Sequence, residues 1–326
     1  MTVAKLATLP DGREVQRIGL RGGGLSAQVL TLGAIVQDLR LEGVDHPLVL
    51  GAEDPAAYLG RARYMGAIVG RYANRIGNAR FVLDGATHHT DRNFLGRHTL
   101  HGGSQGFDTK IWRIEEVAPD RVTLSHVSPD GDMGFPGRMR VCASIALRDG
   151  ALVIDMQAAS DAPTPCNLAH HGYFNLDGGG DIRGHVLQID AERLTPVDGD
   201  LIPLPGTMPV EGTAFDFRRP RPIGASGYDH NFCLSGGVAA PRRVARLSGE
   251  TGLSLTVTTD APGLQLYDGR HFDGWRGLDG RIYGPHAGLA LETQFWPDSP
   301  NRADFPDATL RPGQDFRHHV AYGFSR

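Results

Sequence analysis

The sequence predicts an all-β protein, one large antiparallel β-sandwich with few short helices, and three observations carry that prediction. Glycine supplies 44 of 326 residues, roughly twice the ordinary share of about 7%. Without a collagen-like period, that much glycine means many tight turns and many short elements. Apolar and polar residues alternate with period two in run after run, which on an extended chain turns one face toward a core. Helical periodicity is nearly absent.

In MRVCASIAL (139–147), Met139, Val141, Ala143, Ile145 and Leu147 share one face. In ALVIDMQAA (151–159), Leu152, Ile154 and Met156 alternate with Asp155 and Gln157. In GLSLTVTTD (252–260), Leu253, Leu255 and Val257 alternate with Ser254, Thr256 and Thr258. In GLALETQFW (288–296), Leu289, Leu291, Thr293 and Phe295 oppose Ala290, Glu292, Gln294 and Trp296. Turn signals separate the runs: GGG at 22–24, PDG at 129–131, DGGGD at 177–181 and SGG at 235–237. The one fair helix candidate is DPAAYLG (54–60), where Asp54 caps a short turn that opens on Pro55. A doubly wound α/β fold needs a helix after each strand, so it is disfavoured. No fixed-period repeat and no linker divides the chain, which predicts a single domain over 1–326.

Composition narrows the function. A net charge of -4 gives no reason to expect nucleic acid or a membrane surface. Cys142, Cys166 and Cys233 are odd in number and far apart, which argues against disulfide scaffolds and zinc ribbons. The opening MTVAKLATLPDGREVQ lacks the apolar core of a signal peptide. A cytoplasmic protein is expected, as a monomer or homodimer. There is no GxGxxG after a strand, no P-loop and no GxSxG elbow. Neither a nucleotide cofactor nor serine hydrolysis is therefore expected, and no cofactor of any kind.

Four segments set chemically able side chains against turns or strand ends. In GRYANRIGNARF (70–81), Asn74 and Arg75 offer the donors and acceptors that hold sugar hydroxyls; an exposed arginine in an ion pair is the alternative. In LHGGSQGFD (100–108), His101 stands at a chain reversal made by two glycines, where a turn histidine is equally expected. In NLAHHGYFNL (167–176), a strand puts Asn167, Ala169, His171 and Tyr173 on one face. Leu168, His170, Gly172 and Phe174 take the other, where His170 packs. Adjacent histidines on a strand point apart, and no HExxH-like spacing exists, so no metal site is expected. In LETQFWPDSPN (291–301), Glu292 and Gln294 share a face with Trp296. A carboxylate among Ala290, Leu291 and Trp296 is partly desolvated, which raises its basicity, and the indole offers a platform for a sugar's C–H face. An edge-strand Glu facing water is the alternative.

Taken together and in order, these segments resemble the aldose 1-epimerase (galactose mutarotase) family. The resemblance also takes in LTLGAIVQDLRL (30–41), an early strand, and VLGAEDPAAYL (49–59), SPDGDMGFPG (128–137), VEGTAFDFR (210–218), GYDHNFCL (227–234) and LRPGQDF (310–316). It implies a galactose mutarotase-like β-supersandwich with the sugar in an open cleft. It implies His171 as catalytic acid and Glu292 as catalytic base. Sugar-binding positions fall on Asn74, Arg75, His101, Tyr173, Asp229 and Gln265. The family usually has Asn before the catalytic histidine and Ser after it, where this chain has His170 and Gly172. The segment after Gln265, usually like YTGN, is LYDGRHFDG. Both departures are expected near the cleft, where they would bear on the preferred sugar.

The implied reaction interconverts the α and β anomers of a free aldose by ring opening and reclosure. It transfers no atom and changes no oxidation state. The partner is then a small monosaccharide. Three other readings stand beside it. A phosphohexose epimerase would use Arg270, His271 and Arg276 for the phosphate. A non-catalytic sugar-binding module would lack one member of the His171–Glu292 pair. A glycoside hydrolase would need two flanking carboxylates, such as Glu292 and Asp229.

Overall fold

The structure is a computed structural model, and it describes residues 2–326. Among these residues, helix is confined to six 3₁₀ turns of three to five residues. The DPAAYLG prediction lands on one of them, Pro55–Leu59, with Asp54 accepting the Ala56 N–H at 2.9 Å.

Three antiparallel sheets build the body. Thr2–Thr8, Glu14–Gly22, Leu25–Leu30 and Val36–Leu41 form a four-stranded sheet. Gly23 and Gly24 join its second and third strands, both at positive φ, as a two-residue hairpin of right twist requires. A nine-stranded sheet has Ala151–Ser160, Phe316–Ser325 and Ser254–Thr259 at its centre. A six-stranded sheet runs Tyr173–Phe174, Leu289–Gln294, Gly263–Tyr267, Asp229–Cys233, Arg193–Leu194, Met208–Pro209. One apolar cluster fills the space between, with members from Ile18 to Phe324.

The alternations predicted from sequence do the packing. Met139, Val141, Ala143, Ile145 and Leu147 are all buried on one side of their strand, as are Leu152, Ile154 and Met156 on the next. The decisive strand is Leu289–Gln294, buried at every position. Leu289 and Leu291 enter the sandwich core, while Glu292 lines the cleft on the opposite face. It lies between Tyr173–Phe174 and Gly263–Tyr267 and is no edge. The edge-strand alternative for Glu292 is thereby removed.

Two strand predictions need correction. LTLGAIVQDLRL is not continuous: Gly33 and Ala34 turn at positive φ, and the new strand starts at Val36. The turn is forced by packing, since a Cβ on Gly33 would stand 2.5 Å from the Asp108 carbonyl oxygen. The 167–176 segment changes partners midway. Ala169–His170 pairs with Ile68–Val69, and Tyr173–Phe174 pairs with Leu289–Ala290. His171 and Gly172 form the joint between the two pairings.

Candidate active site

The cleft, about 290 Å³ in volume, opens on the face of the six-stranded sheet turned away from the sandwich core. Cross-strand register builds its floor. Gln265 pairs with Glu292 on one side and with Asn231 on the other, while Asp229, Tyr267, Ala290 and Tyr173 form the next row. Paired residues on one face stand about 5 Å apart. An acid, an amide and a second acid therefore fall within one sugar's width.

The walls come from loops. Asn74 and His101 hold each other: the His101 N–H donates to the Asn74 carbonyl oxygen at 2.9 Å, and the Asn74 N–H donates to His101 Nδ1 at 3.1 Å. Both residues sit at positive φ. The reversal after His101 needs glycine, because a Cβ on Gly102 would lie 2.0 Å from the Gly70 carbonyl oxygen. Asn74 Oδ1 accepts the Arg75 N–H at 2.9 Å and Arg75 Nη1 at 3.3 Å. Arg75 Nη2 then meets Asp229 Oδ2 at 3.0 Å, and Gln265 Nε2 donates to Asp229 Oδ1 at 2.5 Å. All four residues are buried. Arg75 is indeed in an ion pair, but a buried one inside the cleft.

His171 and Glu292 face each other at the inner end. His171 Nε2 lies 3.5 Å from Glu292 Oε1. Burial pushes the Glu292 carboxyl up to about 8, with the nearby Asp229 adding to the rise and Arg75 opposing it. Burial pulls the His171 imidazole down to about 4. The separation alone would suit an ion pair, but desolvation acts on both groups toward their uncharged forms. Around neutrality the pair shares one proton, and burial places it on the carboxyl. Among the described residues, His171 Nδ1, Glu292 Oε2, Arg75 Nε and Gln265 Oε1 are buried here without a protein partner. Such atoms are costly to leave unpaired and suit the hydroxyls of a sugar.

Comparison with known proteins identifies the family. The aldose 1-epimerase family profile matches residues 16–323. The chain belongs to the aldose 1-epimerase family. It is 39% identical over 331 residues to galactose mutarotase of Rattus norvegicus, covering 97% of this chain and 96% of that one. It is 37% identical over 338 residues to aldose 1-epimerase of Escherichia coli K12, covering 98% and 97%. Among solved structures, a GalM/aldose epimerase homologue from C. elegans superposes with a TM-score of 0.89 at 29% identity, over 95% of this chain and 98% of that one. Galactose 1-epimerase from Lactobacillus acidophilus NCFM gives 0.87 at 29% identity, over 99% and 98%. The all-β mutarotase-like fold expected from the sequence is the fold of this aldose 1-epimerase family member.

Asn74, Arg75, His101, His171, Tyr173, Asp229 and Glu292 all line the cleft, and Gln265 reaches it through Asp229. Three lining residues were not legible in the sequence: Tyr64, Phe94 and Leu201. Tyr64 stacks at 22° over His171, with ring centroids 6.1 Å apart, and stands 4.6 Å from His101. Its backbone is held at φ +69°, a conformation costly for a bulky residue. No local motif announces it. The Phe94 ring lies under the Arg75 guanidinium at 4.8 Å.

Trp296 must be reassigned. Its indole N–H donates to the Pro262 carbonyl oxygen at 2.9 Å and its ring packs on Phe305, so it is not the sugar platform. Strand parity fails there because the strand ends at Gln294. Asn167 likewise leaves the cleft face and bonds backbone instead.

The departures from family pattern also resolve. His170 points away from the cleft, packing on Tyr322 with centroids 5.5 Å apart. A Cβ on Gly172 would lie 2.6 Å from the His170 ring. The two departures are therefore one packing exchange, and neither residue lines the cleft. The altered segment after Gln265 does reach the cleft, through Tyr267 and His271. Arg270 Nε contacts His271 Nε2 at 3.2 Å, whereas Arg276 lies against Gly280. Of the three groups suggested for a phosphate, His271 lines the cleft and Arg270 contacts His271, while Arg276 is not part of the lining.

His101, His171 and Glu292 can offer ligand atoms within 4.8 Å of one another. The adjacent histidines do point apart, as expected, but His101 arrives from another segment. Its hydrogen bond decides the chemistry: Nδ1 accepts the Asn74 N–H, so the neutral ring carries its proton on Nε2. A metal-ligating imidazole normally donates from its other nitrogen. His101 is built as a hydrogen-bond donor to the cleft.

Proposed function

We propose that the chain interconverts the anomers of a free aldose, with Glu292 taking the proton of the anomeric hydroxyl and His171 protonating the ring oxygen. The 3.5 Å separation of His171 Nε2 and Glu292 Oε1 carries this reading. The two oxygens that exchange protons are bonded to one carbon, so their acid and base must stand side by side. A hydrolase instead needs its groups on either side of a bond. Both oxygens of Asp229 are already engaged by Arg75 and Gln265.

One proton on the pair suffices for the whole cycle. Opening starts with the proton on His171: Glu292 gains the hydroxyl proton as His171 gives its own to the ring oxygen, and the C1–O5 bond breaks. Reclosure starts from the protonated carboxyl and the neutral imidazole, the form that burial favours. Rotation about C1–C2 between the two steps exchanges the faces of the carbonyl. Arg75, Asn74, Asp229 and Gln265 hold hydroxyls, Tyr173 lies 5.0 Å from the His171 ring, and the His101 Nε2 proton faces developing charge on oxygen. The occupant is a monosaccharide, in keeping with the cleft of about 290 Å³. Free cysteines at 142, 166 and 233 fit a reducing cytoplasm.

Polarimetry of a freshly dissolved anomer tests the assignment. Glu292→Ala or His171→Asn should slow mutarotation at least about 100-fold, the low end of what one positioned acid or base contributes. A two- or three-fold loss in a folded variant would refute it.

A further inference from the structure

We propose that Asn167 is a positioning residue that sets the base strand, the acid strand and the sugar-binding Asn74–Arg75 pair relative to one another. The inference rests on the acid–base reading above. Asn167 is completely buried and does not line the cleft. Its carboxamide is used on both sides. Oδ1 accepts the Phe295 N–H at 2.8 Å. Nδ2 donates to the Phe295 carbonyl oxygen at 3.3 Å and to the Ala73 carbonyl oxygen at 3.1 Å. The main chain closes the same circuit: the Asn167 N–H donates to Arg71 O at 3.0 Å, and the Ala73 N–H donates to Asn167 O at 2.7 Å.

The partners' positions in the chain give these contacts their meaning. Phe295 follows Glu292 by three residues, Ala73 immediately precedes Asn74, and Asn167 itself precedes His171 by four. Beyond Gln294 the ladder with Gly263–Tyr267 has ended, so the Asn167 side chain takes over where sheet pairing stops. The contacts call for a carboxamide. A carboxamide presents an acceptor and two donors in one plane. An aspartate would set a buried carboxylate against two carbonyl oxygens with nothing to donate. A second link joins the same two segments, since the Tyr72 hydroxyl donates to Trp296 O at 3.0 Å and accepts the Ser299 N–H at 3.1 Å. Loss of Asn167 should therefore loosen the site without detaching it.

Shifts near 1 Å at a reacting centre cost about 100-fold in rate. Asn167→Ser and Asn167→Ala should keep the fold, by circular dichroism and melting, and lower kcat by about 10–100-fold. In a Glu292→Gln background the same Asn167→Ser change should lower the residual rate by at least about three-fold less than in the wild-type background, because the alignment of base with acid is no longer there to lose. Equal losses in both backgrounds would mark a general structural effect and overturn the proposal, as would wild-type kcat in a folded single variant. Full activity of Glu292→Gln alone would instead sink the acid–base reading, which keeps the two failures distinct. The unmodified protein offers a further check by NMR. The Asn167 side-chain NH₂ protons should exchange with solvent at least about 100-fold more slowly than those of an exposed amide. Fast exchange would rule out the clamp whether or not the variants fold.

Discussion

Asp229 lies one row from Glu292 on the same sheet face and is held there by Arg75, whose Nη2 meets its carboxylate at 3.0 Å. The two act on Glu292 in opposite senses, Asp229 raising its pKa and Arg75 lowering it. Neutralising Asp229 as Asn should therefore move the basic limb of the kcat/KM pH profile to lower pH. Replacing Arg75 with Met should move it higher. Both should also weaken sugar binding by roughly 10–100-fold in KM, since each removes a charged hydrogen bond worth about 1.5–3 kcal/mol. Limbs that stay in place in both variants would show that the pair does not tune the base.

For the unaltered enzyme, the pair works while it holds a single proton. As pH rises through about 8 the Glu292 carboxyl loses that proton, and as pH falls through about 4 His171 gains a second. The kcat/KM profile should thus be broad and flat between those limits. A single limb near 6.5, the value of an ordinary exposed imidazole, would contradict the coupled-pair account.

Glu292→Gln should stabilise the fold while lowering activity at least about 100-fold. In the native state the carboxyl protonates near 8, against an ordinary value of 4.5. The folded protein therefore binds the extra proton across that interval, and stability must fall as pH rises from about 4.5 to 8. Glutamine removes that slope. A gain of about 1–2 kcal/mol near pH 8, in line with other neutralised site groups, is the expected outcome in denaturant titrations. A destabilised Glu292→Gln at that pH would show the carboxylate to be well solvated.

Gly172→Ser alone should destabilise the protein by about 1–3 kcal/mol, because its Cβ meets the His170 ring at 2.6 Å in a packed interior. His170→Asn combined with Gly172→Ser should recover much of that loss, giving a non-additive double-mutant cycle in thermal melts. The sugar preference should be unchanged in the double variant. A shift in preference would mean that the exchange reaches the cleft after all.

Much of this was already legible along the chain. The burial of Met139, Val141, Ala143, Ile145 and Leu147 on one face is set by strand geometry, which alternates with period two wherever it occurs. The identities of His171 and Glu292 as candidates came from local patterns and family resemblance. The parity of His171 and Tyr173 survived because each half of that segment is extended. It failed for Trp296, beyond the end of its strand at Gln294, and for Asn167, whose single parallel bridge to Tyr72 stands apart from the Ala169–His170 pairing.

Residue order alone thus determined the β architecture, which follows from short-range periodicity, and it nominated His171, Glu292 and the sugar-binding positions through their resemblance to family motifs, while Tyr64 and Phe94 escaped it. It left open whether Glu292 faced water, whether His101 merely serves its turn, that Tyr64 covers both histidines, and that His170 and Gly172 form one packing unit. Those answers depend on groups far apart in sequence brought within a few ångströms: Asn74 fixing the His101 tautomer, Tyr173–Phe174 and Gly263–Tyr267 flanking the glutamate strand, and the Asn167 carboxamide joining three segments. Burial and hydrogen bonding at that range set the protonation states, and only the folded chain creates them.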